Sequence, residues 1–153
     1  MRFLLLLFCT INLTYLQSNG QPVPKECYNP IISHQADSLK SIFLSDGFMV
    51  IRESPLKMES EYEFPIIVNL NKGNWYHFIF VGDKTSNLFE LVMYDWDENK
   101  VHYEKNKKKD NNGNIISFSF VGSQTGYHIL KPLQINKKVK NLCGYFIMMS
   151  KIK

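Results

Sequence analysis

Residues 63–83, EFPIIVNLNKGNWYHFIFVGD, are the most strongly patterned part of the chain. Two apolar runs, residues 66–70 and 75–81, flank the turn-forming residues 71–74, and this arrangement predicts a β-hairpin. A strand that is apolar on both faces belongs in the middle of a sheet covered on both sides. We therefore predict that the second run is central to a layered β-fold, with Trp75 in its core. Its two faces carry Tyr76, Phe78 and Phe80 on one side and Trp75, His77, Ile79 and Val81 on the other.

Short strand-like runs separated by turn residues continue from Gly47 to the end of the chain. Such spacing is typical of a sandwich or barrel. Pro55 and Pro132 are expected to end strands, because proline has no N–H for the ladder. The fold class is therefore predicted as all-β, an antiparallel jelly-roll-like β-sandwich of about eight strands. The predicted strands are residues 48–53, a short edge segment at 58–62, 66–70, 75–81, 88–95, 100–104, 115–121, 127–130 and 144–152.

One helix is predicted, at about residues 34–45. Ser33 is a candidate N-cap, and Gly47 ends the pattern. The apolar face is expected to cover one edge or open end of the sandwich. Residues 21–32 contain three prolines and predict an extended lead-in, so residues 33–153 form a single domain. The helix positions that recur at the spacing of one face are Ala36, Leu39, Ile42 and Phe43.

The chain begins with the features of a secretory signal peptide. Met1 and Arg2 precede an apolar run that is too short to span a membrane. Residues 1–20 are predicted to be removed by cleavage after Gly20, with Ser18 as the alternative. The protein is then secreted or periplasmic. No second apolar run reaches membrane length, so no membrane span is expected.

Cysteine content agrees with export. Cys9 lies in the predicted signal peptide, which leaves Cys27 and Cys143 as an even pair in an exported chain. A disulfide between them would close nearly the whole mature sequence and stabilise it by about 4–5 kcal/mol. Two free thiols or a redox pair are the alternatives. The sequence has no CxxC spacing, and two cysteines cannot complete a structural zinc site.

Overall charge gives little reason to expect a polyanion. Without Arg2 the chain keeps 17 basic and 14 acidic residues, a net charge of +3. The densest basic group lies in residues 104–114, which are rich in Asn and Gly and read as a solvated loop rather than a patch for nucleic acid or an anionic surface. No Arg or aromatic residue is interleaved there, so nucleic acid is not an expected partner. The group comprises Lys105, Lys107, Lys108 and Lys109.

Acidic residues at strand ends are candidate ligands for Ca²⁺, which prefers carboxylate oxygens. The densest stretch, residues 95–99, lacks the Gly and the distant Glu of a calcium loop, and Asp and Asn are also ordinary turn formers. Calcium is the one cofactor that the sequence raises, against the alternative of plain turns. The candidate ligands are Asp83, Asp95, Asp97 and Glu98.

Aromatic residues could form a platform on which sugar rings stack. Trp96 follows Tyr94 in a turn-like context, where a place on the surface is as natural as a place in the core. Tyr94, Trp96 and Tyr103 are therefore candidate binding residues, with Trp75 and Tyr76 as further members.

Catalytic signatures are weak. The four histidines are scattered without metal-ligand spacing, and His77 and His128 fall in apolar strands where a hydrogen-bonded structural role is expected. A Ser-His-Asp arrangement stays open, although residues 122–126 read as a turn and no Gly-x-Ser-x-Gly elbow is present.

The order of these motifs resembles the bacterial pre-peptidase C-terminal type jelly-roll module over residues 66–152. The matching segments are Trp-Tyr-His-Phe at 75–78, Tyr-Asp at 94–95, Thr-Gly-Tyr at 125–127 and Gly-Tyr-Phe-Ile at 144–147. The helix and the absence of an attached hydrolase depart from that module. The chain is also similar to small exported proteins of Gram-negative gliding-type bacteria, which supply no biochemical role.

These features predict an exported, non-catalytic binding or accessory module, with glycan or cell-surface binding as the sharper version. The alternative is a structural or interaction protein of the cell envelope, whose partner would be an envelope protein. A small secreted hydrolase ranks below both.

Overall fold

The computed structural model describes residues 27–151, so the predicted signal peptide, its cleavage site and most of the lead-in lie outside the described residues. The described chain forms one helix and eight strands. No helix in it is long and apolar enough to cross a membrane. The elements are α1 (Pro30–Ser45), β1 (Met49–Glu59), β2 (Ile66–Leu70), β3 (Trp75–Val81), β4 (Leu88–Asp95), β5 (Lys100–Lys107), β6 (Ile115–Val121), β7 (Gly126–Ile135) and β8 (Asn141–Lys151).

The strands form two four-stranded antiparallel sheets. One sheet has the order β1-β8-β3-β6, and we call it the helix-covered sheet; the other has the order β2-β7-β4-β5, and we call it the open sheet. This interleaved order is that of an eight-stranded jelly roll. The predicted all-β sandwich is therefore confirmed. Between the sheets lies a core that includes Phe78, Phe80, Leu91, Met93 and Phe146, each fully buried.

The predicted hairpin at residues 66–81 is wrong, because β2 and β3 belong to different sheets. β2 pairs with β7, whereas β3 pairs with β8 and β6. The tight turn itself exists: the Asn74 N–H donates to the Asn71 carbonyl at 3.3 Å, and Gly73 adopts a φ of 83°. The turn packs beside the end of β6, where a Cβ on Gly122 would lie 2.4 Å from the Asn71 carbonyl oxygen. This turn therefore connects a strand of the open sheet to a strand of the helix-covered sheet, instead of joining two paired strands.

Strand β3 is central and covered on both faces, as its pattern predicted. Tyr76, Phe78 and Phe80 point into the sandwich, and Ile79 and Val81 lie beneath the helix. Trp75 departs from the prediction, since it is 45% exposed. Trp75 is the first residue of β3, and its side chain lies on the outer face of the sheet.

Helix α1 begins earlier than predicted and covers a different surface. Its N-cap is Asn29 rather than Ser33, and the Asn29 side-chain oxygen accepts from the Ile31 N–H at 3.0 Å, with Pro30 in the first turn. The extended lead-in therefore ends before residue 30. The helix packs on the outer face of the helix-covered sheet, not on an edge or open end. The packed side chains are Ile32, Ala36, Leu39 and Phe43, whereas Ile42 is 55% exposed.

The two prolines expected to end strands both lie inside strands. Pro55 belongs to β1, an edge strand that also includes residues 58–59 of the separate segment predicted at 58–62, while residues 60–61 form a turn. Pro132 lies within β7, and its carbonyl accepts from the Phe64 N–H at 2.9 Å. The N–H and C=O of one antiparallel-strand residue point to the same side, so the missing donor faces Phe64, which lies outside β2, before its first residue Ile66. Strand β5 likewise runs on to Lys107, past the predicted end at 104.

The predicted disulfide between Cys27 and Cys143 is confirmed. The two Cα atoms are 5.4 Å apart, and the bond joins positions separated by 116 residues. It ties the chain just before α1 to the outer face of β8.

Candidate functional site

The outer face of the open sheet carries a group of aromatic and aliphatic side chains that no helix of residues 27–151 covers. Alternation along each strand decides which side chains point outward, because their neighbours fill the core. The fully buried neighbours include Leu70, Leu91, Met93 and Leu130. The outward residues include Ile67 and Asn69 on β2, Val92 and Tyr94 on β4, Tyr103 on β5, and Tyr127, Ile129 and Lys131 on β7.

Trp96 and Tyr127 form an exposed aromatic pair at one corner of this face. Their ring centroids are 5.7 Å apart with an angle of 52° between planes, and the residues are 64% and 55% exposed. Register explains the contact: Asp95 pairs with His128 and both are buried, so the adjacent residues 96 and 127 stand together on the outer face. Tyr127 was not among the predicted binding residues, because nothing in its local sequence indicates its strand partner.

Tyr94 and Tyr103 lie on the same outer face, so the structure brings together all three predicted binding residues. Tyr94 is half-buried beside Ile129, and the Lys131 Nζ atom lies 5.1 Å from its ring centroid. Tyr103 is 45% exposed, and the Lys100 Nζ atom lies 5.4 Å from its ring centroid. Each cation is placed over the electron-rich face of a ring.

The two further predicted platform members lie elsewhere. Tyr76 is buried in the core, and its hydroxyl accepts from the Asn71 N–H at 2.7 Å. Trp75 lies on the outer face of the other sheet. The aromatic surface therefore consists of Tyr94, Trp96, Tyr103 and Tyr127, which we call the aromatic face.

Asp95 holds the turn that carries Trp96. One carboxylate oxygen accepts from the Asn99 backbone N–H at 2.8 Å and the other from the Asn99 side-chain amide at 3.0 Å. These two hydrogen bonds, the side-chain bond first, hold the pKa of Asp95 below its usual range. The backbone closes the turn as well, with Glu98 at a φ of 62°. The turn therefore presents Trp96 on a fixed frame.

The four predicted calcium ligands do not meet at one site. Asp83 follows β3, at the opposite end of the sandwich from Asp95, and the eight residues of β4 span about 23 Å between those ends. One Asp83 oxygen accepts from the Thr85 N–H at 2.9 Å and from its hydroxyl at 2.7 Å. Asp97 and Glu98 are exposed. Within residues 27–151, no group of three or more His, Cys, Asp or Glu side chains is arranged to hold a metal ion.

His77 lies on the outer face of the helix-covered sheet, beneath α1. Its ring stacks on Phe43 with centroids 3.5 Å apart, and its two nitrogens lie 2.9 Å from the Ser119 hydroxyl and 2.8 Å from the Ser117 hydroxyl. Burial lowers the pKa of His77 to about 4, so the ring is neutral at pH 7. Both ring nitrogens are engaged by hydroxyls, as expected for a structural histidine.

The other three histidines lie on α1, β5 and β7. His128 is buried, and its Nδ1 donates to the Gly126 carbonyl at 3.2 Å. His102 stacks on Phe118 with centroids 3.8 Å apart, and its Nε2 lies 3.4 Å from a Glu104 oxygen. His34 is exposed on α1. His102 and His128 lie on the strands that flank β4, opposite Met93 and Asp95, whereas His34 lies apart on the helix.

No protein-family model matches this sequence, and no curated protein matches it. One similar solved structure comes from work on Bacillus endospore appendages, described there as a novel family of disulfide-linked pili. It has a TM-score of 0.43 and 11% sequence identity, over 67% of this chain and 85% of that one. A likeness at this level carries no argument about function, and the resemblance to the pre-peptidase C-terminal module stays a prediction.

Proposed function

We propose that this protein is a non-catalytic binding module that works outside the cytoplasm and binds glycan on the aromatic face. The observation that supports this most directly is the exposed pair Trp96 and Tyr127, held by the Asp95 turn and strand β7. Large aromatic rings left in solvent lose the free energy of burial unless a ligand covers them. A sheet face that carries such rings suits the apolar faces of sugar rings.

Polar groups beside the rings suit a sugar's hydroxyls. Asn69 is exposed on β2 and lies directly opposite Tyr127 of β7. Amide side chains both donate and accept hydrogen bonds, as a ligand with many hydroxyls requires. The combination of rings and amides favours a neutral glycan over a purely apolar ligand.

The location outside the cytoplasm is supported by the Cys27–Cys143 disulfide, since disulfides persist in oxidising compartments. It is also supported by the signal-like N-terminal sequence. We propose that the mature protein is secreted or periplasmic.

A glycan array followed by calorimetry on the best glycan tests the proposal. Trp96→Ala and Tyr127→Ala are each expected to weaken binding about tenfold or more, because the buried area of one large side chain is worth about 1.5–3 kcal/mol. Trp75→Ala is the matched control, since it removes an exposed tryptophan from the other sheet and is expected to leave the affinity unchanged.

The glycan proposal fails if no glycan binds, or if Trp96→Ala binds as tightly as the wild type. In that event the same face supports a second function, docking on an envelope protein, because Ile67 is 55% exposed and lies beside Ile129 on the aromatic face. An apolar centre with charged neighbours is typical of protein interfaces.

A further inference from the structure

Three loops meet at the end of the sandwich opposite Trp96, and we call this region the lysine end. They are residues 82–87, 108–114 and 136–140. The Asn87 N–H donates to the Ile135 carbonyl at 2.8 Å, and the Lys108 N–H donates to the Asn87 carbonyl at 3.0 Å. The Gly82 N–H donates to the Asn114 carbonyl at 2.8 Å. The first loop therefore fixes the positions of the other two.

The lysine end concentrates positive charge that is dispersed in the sequence. Lys140 is paired with Glu59 at 2.9 Å. Across residues 27–151, no acidic side chain lies within ion-pair distance of the remaining lysines of this end, which are Lys84, Lys107, Lys108, Lys109, Lys137 and Lys138. The loops and the adjoining end of β5 contain only Asp83 and Asp110 as acids, against Lys84, Lys107, Lys108, Lys109, Lys137, Lys138 and Lys140.

Five of these lysines, at positions 107–109, 137 and 138, line two adjoining recesses. A cavity of about 480 Å³ is lined by Lys108, Lys137 and Lys138 together with Thr85, Asn87 and Asn136. A neighbouring cavity of about 520 Å³ is lined by Asn87 and residues 107–109. Cations that face a shared recess reinforce each other's potential, which raises the local concentration of anions.

The floor of the first cavity is held in place by a chain of hydrogen bonds. The Asn136 side-chain oxygen accepts from the Lys138 N–H at 2.9 Å and from the Val139 N–H at 3.1 Å. Its amide nitrogen donates to the Thr85 hydroxyl at 2.9 Å, and that hydroxyl donates to Asp83. The backbones that carry the lysines are therefore ordered before a ligand arrives, so less ordering entropy is lost on binding.

We propose that the lysine end is a second binding site, separate from the aromatic face, and that it binds an acidic polysaccharide. Lysine ammonium groups act as point charges for carboxylate or sulfate groups, and the Asn and Thr side chains suit sugar hydroxyls. The three loops contain no Arg and no aromatic residue, which disfavours stacking on nucleic-acid bases. A recess of this kind admits a chain but is not matched to a flat bilayer.

Calorimetry with polygalacturonate, a carboxylated polysaccharide, tests the proposal in 50 mM and 200 mM salt. The triple variant K108Q/K137Q/K138Q is expected to weaken the affinity about tenfold or more, and the higher salt to weaken wild-type binding about threefold or more, because both reduce charge attraction. The control triple K57Q/K72Q/K151Q removes the same charge from exposed positions elsewhere. It is expected to change the affinity less than about threefold.

Several outcomes overturn the proposal. Equal losses in the two triple variants indicate an effect of net charge alone, and absence of wild-type binding removes the site. Tighter binding to phosphatidylglycerol vesicles or to an oligothymidine than to polygalacturonate assigns the lysine end to a different partner class. Thermal melting of both triples keeps the comparison valid, since exposed Lys→Gln changes are expected to leave folding intact.

Discussion

At the scale of single residues, His77 shows how burial sets a chemical property. The ring lies against Phe43 beneath the helix and is held by Ser117 and Ser119, and this burial lowers its pKa to about 4. In the unfolded chain the imidazole has its ordinary pKa of about 6.5. Between these values the unfolded chain binds a proton at this position and the folded protein does not.

Stability is therefore expected to fall as the pH is lowered from about 6.5 towards 4. We expect His77 to account for about 1–2 kcal/mol of this loss, less than the full pKa difference implies, because the serine hydroxyls lie near solvent. Urea denaturation across pH 4–8 measures the loss. His77→Gln is expected to flatten the profile, and His34→Gln, at an exposed helix position, is expected to preserve it. Identical profiles for wild type and His77→Gln would contradict this assignment.

At the scale of elements, the helix begins at a cap that the sequence analysis placed four residues too late. Ser33 preceded the first clear apolar spacing and was the natural candidate, whereas Asn29 stood before Pro30 in a proline-rich stretch. Asn and Ser are both good N-caps, so propensity alone could not choose between them. Ile32 packs against the sheet, which favours a helix that starts one turn earlier, with Asn29 as its N-cap.

Replacing the cap gives a direct test. Asn29→Ala is expected to lower the free energy of unfolding by about 0.5–2 kcal/mol, because the Ile31 N–H loses its acceptor. Ser33→Ala is the matched control, and its expected effect is within about 0.5 kcal/mol, since it lies inside the helix. Urea denaturation at pH 7 measures both. A larger loss of unfolding free energy for Ser33→Ala than for Asn29→Ala would indicate that Ser33 is the N-cap.

Strand pairing was the other error at this scale. The turn at residues 71–74 and the apolar runs on either side are those of a hairpin, and the structure has the turn without the pairing. A turn specifies where the chain reverses but not which neighbour each strand finds. Strand β3 needs partners on both edges, and β6 and β8 supply them from distant parts of the sequence.

At the scale of the whole molecule, the disulfide closes nearly all of the described chain. It joins Cys27, three positions before the helix, to the last strand, across 116 positions. Cross-linking so long a loop restricts the unfolded state strongly, and the chain-entropy model gives about 4–5 kcal/mol. Measured values for native disulfides extend lower, to about 2 kcal/mol.

The double variant Cys27→Ala with Cys143→Ala is therefore expected to lose about 2–5 kcal/mol of stability in urea denaturation. A reducing agent is expected to destabilise the wild type by a similar amount and to leave the double variant unchanged, which makes the variant its own control. If reduction does not shift the urea midpoint of the wild type, the disulfide does not contribute this free energy of unfolding.

The sequence by itself determined the class of fold, the doubly buried strand β3 and the disulfide. Each of these follows from a local or countable property: alternation reports burial along a strand, and the two cysteines that remain after the predicted signal peptide allow one pairing. The three binding candidates Tyr94, Trp96 and Tyr103 were also found locally, as aromatics near strand ends.

Only the tertiary structure decided which strands are neighbours and which residues meet at the ends of those strands. It placed Tyr127 against Trp96 and exposed Trp75, and it separated Asp83 from the acids near Asp95. It also gathered lysines from three loops, although a net charge of +4 over the chain gave no sign of it. Strand partners are chosen by long-range packing of both sheets at once, and periodicity within one segment contains no information about that choice.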